Sequence, residues 1–213
     1  MMVSMRVVII DYGLGNLGSI QRAVSECCNG SVSISHIPED IEAADKLILP
    51  GVGAFADGMK NLREKCLDQV IRYQTLNEHI PLLGICLGMQ LLATRGYEGG
   101  EILGLNIIHG EVKKLKPVTT DERIPHVGWN EVYYNKNNIL FENITNGSDF
   151  YFVHSYHFVP KDKNDIIATT PYCGNFVSAI QKNNIFGVQF HPEKSQVWGF
   201  QLLKNFLQFS TYS

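Results

Sequence analysis

The sequence lacks the features that would place it in a membrane or on a nucleic acid. None of its apolar runs approaches the ~20 residues that a membrane-spanning helix requires. Basic side chains are in slight deficit, with 18 Lys and Arg against 21 Asp and Glu and a formal net charge of −3. Neither a nucleic acid nor a membrane is therefore expected as a partner. The first residues run straight into the apolar segment Arg6–Ile10, without the cleavage region of a signal peptide.

Paired cysteines and metal-binding spacings are missing as well. The five cysteines are odd in number and show no paired spacing, so a disulfide framework is not expected and a reducing cytoplasm fits best. His126, His154, His157 and His191 do not match the helical His pairs or the Cys/His knuckles of zinc sites. We therefore expect packed or hydrogen-bonded histidines, with no metal and no other cofactor.

Hydrophobic periodicity divides the chain into two halves. In the first half, buried strands predicted at Arg6–Ile10, Lys46–Leu49 and Leu82–Ile85 alternate with helical patterns at 17–28 and 57–77. That alternation predicts an α/β fold with a parallel, doubly wound sheet. The second half predicts short strands joined by polar turns and then one helix: 107–108, 111–115, 132–134, 150–153, 166–170, 176–181, 185–190 and the helix 198–209. No repeat or long linker interrupts the chain, which indicates a single domain over residues 1–213.

Residues 84–88 read Gly-Ile-Cys-Leu-Gly and lie between a predicted strand and a predicted helix. This is the small-x-nucleophile-x-small pattern of a nucleophile elbow, in which a sharp turn strains the central residue and glycines two positions away relieve crowding. The turn would place Cys86 at a helix N-terminus, whose partial positive charge favours the thiolate. The alternative is a buried, inert cysteine.

His191 and Glu193 follow the last predicted strand, within the segment 189–193 that reads Gln-Phe-His-Pro-Glu. Active sites of open parallel sheets lie at the carboxyl ends of the strands. Residues two apart in an extended segment project to the same side, so the carboxylate can fix the imidazole tautomer and leave the other nitrogen to take a thiol proton. The alternative is a loop histidine beside an unrelated surface glutamate. The location at a second strand end favours a triad of Cys86, His191 and Glu193.

A glycine-rich turn at 50–53, Pro-Gly-Val-Gly, also follows a predicted strand. Backbone N–H groups in such a turn can point at a developing oxyanion, together with the N–H of the residue after the nucleophile, Leu87. We therefore expect oxyanion donors at Val52, Gly53 and Leu87. An ordinary turn with the same composition is the alternative.

Residues 13–18, Gly-Leu-Gly-Asn-Leu-Gly, match the G-x-G-x-x-G pattern of dinucleotide-binding folds. Asp11 and Tyr12 separate the predicted strand from the first glycine, and no hydride-transfer constellation accompanies the pattern. A dinucleotide site is therefore the disfavoured interpretation of this segment.

Taken together, these stretches resemble the class I, or triad-type, glutamine amidotransferases. Residues 84–90 (Gly-Ile-Cys-Leu-Gly-Met-Gln) and 190–194 (Phe-His-Pro-Glu-Lys) are similar to the class as a whole. The resemblance extends from the first strand to the last helix. Four further stretches resemble the glutaminase subunit of imidazole glycerol phosphate synthase: 15–17, 50–55, 126–130 and 151–156.

The resemblance implies a flavodoxin-like open, mostly parallel sheet with flanking helices and an antiparallel extension. It implies Cys86 as nucleophile, His191 as base and then acid, and Glu193 as the group that orients the imidazole. Glu98, in a stretch that departs from the usual continuation of the family, would lie near the substrate amino group. The glutamine contacts that the resemblance implies are Gly51, Gly53, Gln90, Glu98, Ser155 and Tyr156.

The resemblance also implies a partner, a (β/α)8-barrel cyclase that forms a heterodimer with the chain. Four residues match positions at or near that interface and its ammonia passage: Asn16, Trp129, Tyr151 and Lys194. Because one oxyanion donor belongs to a flexible glycine turn, we expect this donor to be misaimed until the partner binds.

The implied reaction hydrolyses glutamine to glutamate and ammonia through a cysteine thioester. The cyclase would use the ammonia to make imidazole glycerol phosphate and an aminoimidazole carboxamide ribotide in histidine biosynthesis. Three alternatives stay open: a paralogous subunit that supplies ammonia for surface-sugar amidination, to which the unusual stretch 93–100 draws attention; a stand-alone γ-glutamyl cysteine hydrolase; and a non-catalytic binding module.

Overall fold

The computed structural model describes residues 5–134 and 138–210. Its helices are α1 Leu17–Cys27, α2 Pro38–Glu42, α3 Phe55–Glu64, α4 Leu67–Leu76, α5 Leu87–Leu91 and α6 Gln196–Gln208. Its strands are β1 Arg6–Ile10, β2 Ser31–Ser35, β3 Lys46–Leu49, β4 Leu82–Ile85, β5 Arg95–Gly96, β6 Ile102–Leu103, β7 Gly110–Lys114, β8 His126–Tyr134, β9 Ser148–His154, β10 Tyr156–Pro160, β11 Ile166–Thr170, β12 Phe176–Lys182 and β13 Ile185–Val188.

A nine-stranded sheet forms the centre of the fold, in the order β2-β1-β3-β4-β13-β12-β11-β8-β9. The strands from β2 to β13 pair in parallel, and this 2-1-3-4-5 type of order is that of flavodoxin-like folds. The strands from β13 to β9 pair antiparallel and extend the sheet on one side. A smaller four-stranded sheet has the order β10-β7-β5-β6. The expected open sheet with an antiparallel extension is confirmed.

Two hydrophobic cores lie on opposite faces of the large sheet. Along β1, Val7 and Ile9 belong to one core while Val8 and Ile10 belong to the other, as the alternation of side chains along a strand requires. Residues of α1 and α6 complete the first core, and residues of α3 and α4 complete the second. Because both faces are covered, β3, β4 and β13 are buried at every position.

The neighbouring positions of β3, β4 and β13 determine where the active-site segments meet. The three strands are parallel and adjacent, so their carboxyl ends lie side by side at one edge of the sheet. The glycine turn 50–53 follows β3, Cys86 follows β4, and the segment 189–193 follows β13. Three stretches that are far apart in sequence are thereby brought to one edge, as the sequence predicted.

Some predicted elements are wrong. The single helix expected at 57–77 is two helices, because Cys66 adopts a left-handed conformation with φ +57° between α3 and α4. The segment 107–108, expected as a strand, is a bend in which both isoleucine N–H groups donate to the Leu92 carbonyl. The two isoleucine side chains pack in the second core. Strand β2 was not predicted, because it is an edge strand in which serine occupies every second position. The short elements α2, β5, β6 and β10 were also missed.

Other predicted boundaries shift by a few residues. Strand β8 begins at His126, well before the 132–134 that was expected, and β13 ends at Val188, so Gln189 and Phe190 lie beyond the strand. Within the two described ranges, no helix combines the length and the apolar character needed to cross a bilayer.

Candidate active site

Cys86 occupies a strained turn between β4 and α5. Its backbone has φ +53° and ψ −108°, a region that residues with a side chain rarely adopt. The flanking glycines are required by close approach of the backbone. A Cβ on Gly84 would lie 2.8 Å from the amide nitrogen of Met89, and a Cβ on Gly88 would lie 1.7 Å from the Leu49 carbonyl oxygen. The sharp turn predicted between strand and helix is present, and it requires glycine on both sides of Cys86.

The sulfur of Cys86 opens into a small cavity at the edge of the sheet. The cavity has a volume of about 260 Å³, and the Cys86 residue itself is only 5% exposed. The thiol is positioned to donate to the carbonyl oxygen of Val153, 3.8 Å away. The residues around the cavity are Val52, Gly53, Leu87, Gln90, Glu98, Val153, His154, Ser155 and Tyr156. Most of the predicted oxyanion and substrate residues therefore surround one sulfur atom.

His191 and Glu193 form a buried pair. The imidazole Nδ1 lies 2.9 Å from the carboxylate Oε1, and the two side chains are 3% and 2% exposed. Since a carboxylate can only accept, Nδ1 carries the proton and Nε2 is the atom left for the thiol. Nε2 has no hydrogen-bond partner among the described residues.

The electrostatics of this pair favour an imidazolium. Burial on its own would lower the pKa of His191, but the negative charges of an adjacent Cys86 thiolate and of the Glu193 carboxylate outweigh burial and raise the pKa to about 10. A protonated imidazole next to the sulfur stabilises a thiolate by direct charge attraction. Cys86 and His191 can therefore supply a thiolate nucleophile and an imidazolium proton donor, respectively.

The glycine turn at 50–53 is in a conformation that engages one of the predicted oxyanion donors. Leu87, one of the expected oxyanion donors, instead donates its N–H to the Gly51 carbonyl at 3.3 Å. Val52 is 42% exposed, and Gly53 has φ +114°. Gly51 is packed tightly, since a Cβ there would lie 1.9 Å from the buried Tyr12 hydroxyl. The residues meet where the sequence predicted, but one donor is already engaged.

Five of the six predicted substrate residues, all except Gly51, line the cavity that contains Cys86: Gly53, Gln90, Glu98, Ser155 and Tyr156. Gln90 donates through Nε2 to the Tyr156 carbonyl at 2.9 Å and to Oε1 of Gln189 at 3.0 Å, which leaves only its own Oε1 for a ligand. Glu98 accepts from the Phe55 N–H at 2.8 Å, at the start of α3. A carboxylate held in this way at the cavity wall can attract an ammonium group.

A family model decides between the interpretations of this geometry. The model described as "Glutamine amidotransferase class-I" matches residues 8–208. The chain belongs to the class-I glutamine amidotransferase family. As a member of this family, the chain is an enzyme. The family also accounts for the arrangement of Cys86 beside the His191–Glu193 pair.

Similar proteins cover nearly the whole of this glutamine amidotransferase. The chain is 48% identical over 200 residues to the imidazole glycerol phosphate synthase subunit HisH of Moorella thermoacetica, covering 94% of this chain and 93% of that protein. It is 46% identical over 202 residues to subunit HisH 2 of Methanococcus maripaludis, covering 95% and 98%. A glutamine amidotransferase from Thermotoga maritima has a crystal structure with the same fold, with a TM-score of 0.63 at 21% identity over 90% of this chain and 77% of that one.

Three of the four predicted interface residues of this amidotransferase form one cluster, which we call the aromatic ridge: Trp129, Tyr151 and Lys194. The Trp129 and Tyr151 rings meet edge to face with centroids 6.0 Å apart, and Lys194 Nζ lies 5.4 Å from the Tyr151 ring centre. Trp129 is 48% exposed. The ridge is tied to the triad, because the Tyr151 carbonyl accepts from the His191 N–H at 2.9 Å.

Asn16, the fourth predicted interface residue, lies at the start of α1. Its side chain accepts from the Ser19 N–H at 3.4 Å and caps the helix. The preceding loop contacts the glycine turn, since a Cβ on Gly15 would lie 3.8 Å from the Gly51 Cα. The segment with the G-x-G-x-x-G pattern therefore packs against the oxyanion side of an amidotransferase site.

Two features of the site were not assigned a role from the sequence. The amide of Gln189 contacts the Cys86 sulfur at 3.6 Å. The only signal for it was a glutamine in an otherwise apolar stretch before the histidine. The second feature is a buried pair in which His126 Nδ1 lies 3.2 Å from His154 Nε2. His126 also stacks on Tyr172 with centroids 4.0 Å apart, so the expectation of packed, hydrogen-bonded histidines is confirmed for this pair.

Proposed function

We propose that this glutamine amidotransferase is the glutaminase subunit of an imidazole glycerol phosphate synthase. It hydrolyses glutamine to glutamate and ammonia and delivers the ammonia to a (β/α)8-barrel cyclase, which makes imidazole glycerol phosphate and an aminoimidazole carboxamide ribotide in histidine biosynthesis. The observation that carries the proposal is a Cys86 sulfur that shares a small cavity with the predicted glutamine contacts, in a chain 48% identical to such a subunit.

The first chemical step is attack on the side-chain amide of glutamine. The Cys86 thiolate forms a bond to the amide carbon, and the carbonyl π electrons move to oxygen. Glu193 holds the His191 ring through Nδ1, so that Nε2 faces the reacting groups. Protonated His191 then gives its proton to the departing nitrogen, and ammonia leaves while a γ-glutamyl thioester remains on Cys86.

The second step releases glutamate. Neutral His191 takes a proton from water, and the resulting hydroxide attacks the thioester carbon. The carbon–sulfur bond breaks, and the thiolate of Cys86 returns beside the imidazolium. The raised pKa of His191 suits this cycle, because the ring is a proton donor at the start of each turnover.

Both tetrahedral intermediates need hydrogen-bond donors for their oxyanion. Val52 and Leu87 supply these N–H groups in the proposal, with Gly53 giving the turn its freedom to reorient. Because the Leu87 N–H is engaged by the Gly51 carbonyl, the peptide after Gly51 must rotate before both donors are available. One oxyanion donor is worth ~10²–10³ in rate, so this rotation can control turnover.

Partner binding is the proposed trigger for that rotation. The loop that carries Asn16 contacts the glycine turn, and the aromatic ridge bonds to the backbone of His191. A cyclase that covers Asn16, Trp129, Tyr151 and Lys194 would therefore touch both sides of the active site. Glutamine would then be consumed only where the ammonia has an acceptor.

We further propose that residues 1–213 act as one domain and that the chain works in the cytoplasm. The last helix, α6, packs on the first, α1, so the two ends of the described chain share one core. All five cysteines are free, which suits a reducing compartment.

Complementation of a bacterial strain that lacks the glutaminase subunit tests the pathway. Growth without histidine is expected from the wild-type chain with its cognate cyclase, and no growth from Cys86→Ala in a medium low in ammonium. Growth of the Cys86→Ala strain would contradict the proposal. A chain that fails to complement would belong instead to another ammonia-consuming pathway, such as surface-sugar amidination. Faster hydrolysis of γ-glutamyl dipeptides than of glutamine would favour the stand-alone hydrolase.

A further inference from the structure

A glutamine outside the triad contacts the sulfur that performs the chemistry. Gln189 follows β13 directly and is completely buried. Its side-chain Nε2 lies 3.6 Å from the Cys86 Sγ, within reach of an N–H to sulfur hydrogen bond. Its main-chain N–H donates to the Ser178 carbonyl at 2.9 Å, so β12 holds the backbone in place.

The orientation of the Gln189 amide follows from its neighbours. The Tyr156 carbonyl can only accept, so the end of the Gln90 side chain that lies 2.9 Å from it must be Nε2. The same Nε2 lies 3.0 Å from the Gln189 side chain, whose facing atom must therefore be the acceptor Oε1. This leaves Nε2 of Gln189 as the atom that points at the sulfur.

The Tyr156 carbonyl is itself held by a chain of hydrogen bonds with a single polarity. His154 donates to it through Nδ1 at 2.8 Å, and His154 Nε2 accepts from His126 Nδ1 at 3.2 Å. Asn130 donates to His126 Nε2 at 3.3 Å. Burial lowers the pKa of His126 to about 4 and that of His154 to about 3, so both rings are neutral at pH 7 and the polarity is kept.

We propose that Gln189 is a catalytic residue whose amide N–H donates to the Cys86 sulfur and stabilises the thiolate that attacks glutamine. The inference rests on the proposed function, in which Cys86 is the nucleophile. The thiol donates to the Val153 carbonyl and loses that bond when it ionises. The bond from Gln189 remains and strengthens, because hydrogen bonds to a charged acceptor are stronger than those to a neutral one. Because the Cys86 residue is only 5% exposed, its thiolate has little solvation from water, so a fixed donor has a large effect.

Selective alkylation tests this role without any need for glutamine turnover. The full-length wild-type chain, Gln189→Met and Gln189→Glu are treated with iodoacetamide across a range of pH, and the peptide that carries Cys86 is quantified by mass spectrometry. Gln189→Met keeps the length but removes the donor, and it should move the midpoint of Cys86 alkylation upward by about one pH unit. Gln189→Glu places a carboxylate against the sulfur and should move the midpoint further in the same direction.

Two controls separate this effect from a general loosening of the fold. Exposed Cys66 reports on the reagent in the same samples, and its profile should not move. Gln74→Met makes the same change at another buried glutamine, on α4, and should leave the Cys86 profile at its wild-type position. An unchanged midpoint in both Gln189 variants, or an equal shift in Gln74→Met, would overturn the proposal. Failure of the wild-type chain to hydrolyse glutamine in complex with its cyclase would instead contradict the glutaminase function, since alkylation does not depend on glutamine turnover.

Discussion

The two sides of the active site are built in different ways. On the triad side, His191 and Glu193 are buried, joined at 2.9 Å and fixed next to a strained cysteine elbow. On the oxyanion side, the turn 50–53 has a half-exposed Val52, and its Gly51 carbonyl holds the Leu87 N–H. In the proposed reaction, the nucleophile and its base are therefore already in position, whereas the Leu87 N–H is not free to bind an oxyanion.

In the proposed function, this difference places control of glutamine turnover in the backbone of the turn 50–53. The buried His191–Glu193 pair is expensive to rearrange, because moving either partner leaves the other buried without compensation. A glycine turn at the surface can rotate one peptide at small cost. In this proposal the Cys86 thiol is always positioned beside His191, and glutamine turnover is regulated through a backbone N–H donor of the oxyanion site.

The largest expected effect comes from removing the nucleophile on the triad side. Cys86→Ala should lower glutamine hydrolysis by the complex with the cyclase by about 10⁴-fold or more, since loss of a triad nucleophile removes the whole covalent route. Added ammonia should still support product formation by the same complex, measured as imidazole glycerol phosphate. Hydrolysis within tenfold of wild type would show that the triad side is not the reaction centre.

The rigidity of the elbow is tested by filling the space at Gly88. A Cβ there would meet the Leu49 carbonyl oxygen at 1.7 Å, so Gly88→Ala should lower the free energy of unfolding in urea by about 3 kcal/mol. Gly18→Ala is the matched control, because nothing lies within 4 Å of a Cβ at that helical position. The control should be neutral or stabilising by about 0.5–1 kcal/mol. Equal stability of the two variants would mean that the elbow is not tightly packed.

Substitutions in the turn 50–53 should lower the rate of glutamine hydrolysis and change the free energy of unfolding very little. Gly53→Ala introduces a side chain at φ +114° and should lower glutamine hydrolysis by the complex by about 10²-fold, because one oxyanion donor loses its aim. Gly174→Ala, at φ +81° and outside the site, imposes similar strain and should retain the wild-type rate. If both variants were equally active, the turn would have no role in catalysis.

A further expected effect is a pH dependence of the free energy of unfolding, which arises from the two buried histidines near the triad. His126 and His154 have lowered pKa values in the folded state because they are buried, so the unfolded chain binds more protons below pH 6.5. Stability is therefore complete above pH 6.5 and declines as the pH falls toward about 4, by up to about 1.4 kcal/mol per pH unit for each histidine.

His126→Phe should reduce this slope, because the stacked aromatic position is kept while the titrating group is lost. Urea unfolding at pH 7, 6 and 5 measures the change. A slope that is identical in the variant would show that His126 is protonated as easily in the folded state as in the unfolded one.

Local sequence motifs predicted much of the candidate site. The parts that depend on contacts between distant segments of the chain were not predicted. Cys86, His191 and Glu193 were predictable because an elbow and a His-x-Glu segment follow strands whose ends must share one edge. Gln189 was not, because its role depends on Gln90 and Tyr156, which lie far from it in the chain. Pairing across such distances is set by tertiary packing, which local pattern does not specify.

The backbone conformation of the turn 50–53 also could not be predicted from the pattern of side chains. The sequence predicted donors near Val52 and at Leu87, but the Gly51 carbonyl that engages Leu87 carries no sequence signal. In the same way, helical periodicity did not reveal the left-handed Cys66 that divides α3 from α4. Both features arise from how neighbouring elements pack.

Glutamine turnover by the chain alone, compared with turnover in the presence of its (β/α)8 cyclase and the nucleotide substrate of that cyclase, tests the account most directly. With the thiol prepared and one oxyanion donor engaged, the isolated chain should hydrolyse glutamine about 10²–10³-fold more slowly than the complex. Equal turnover in the two samples would contradict the account, because the oxyanion site would then be complete without a partner.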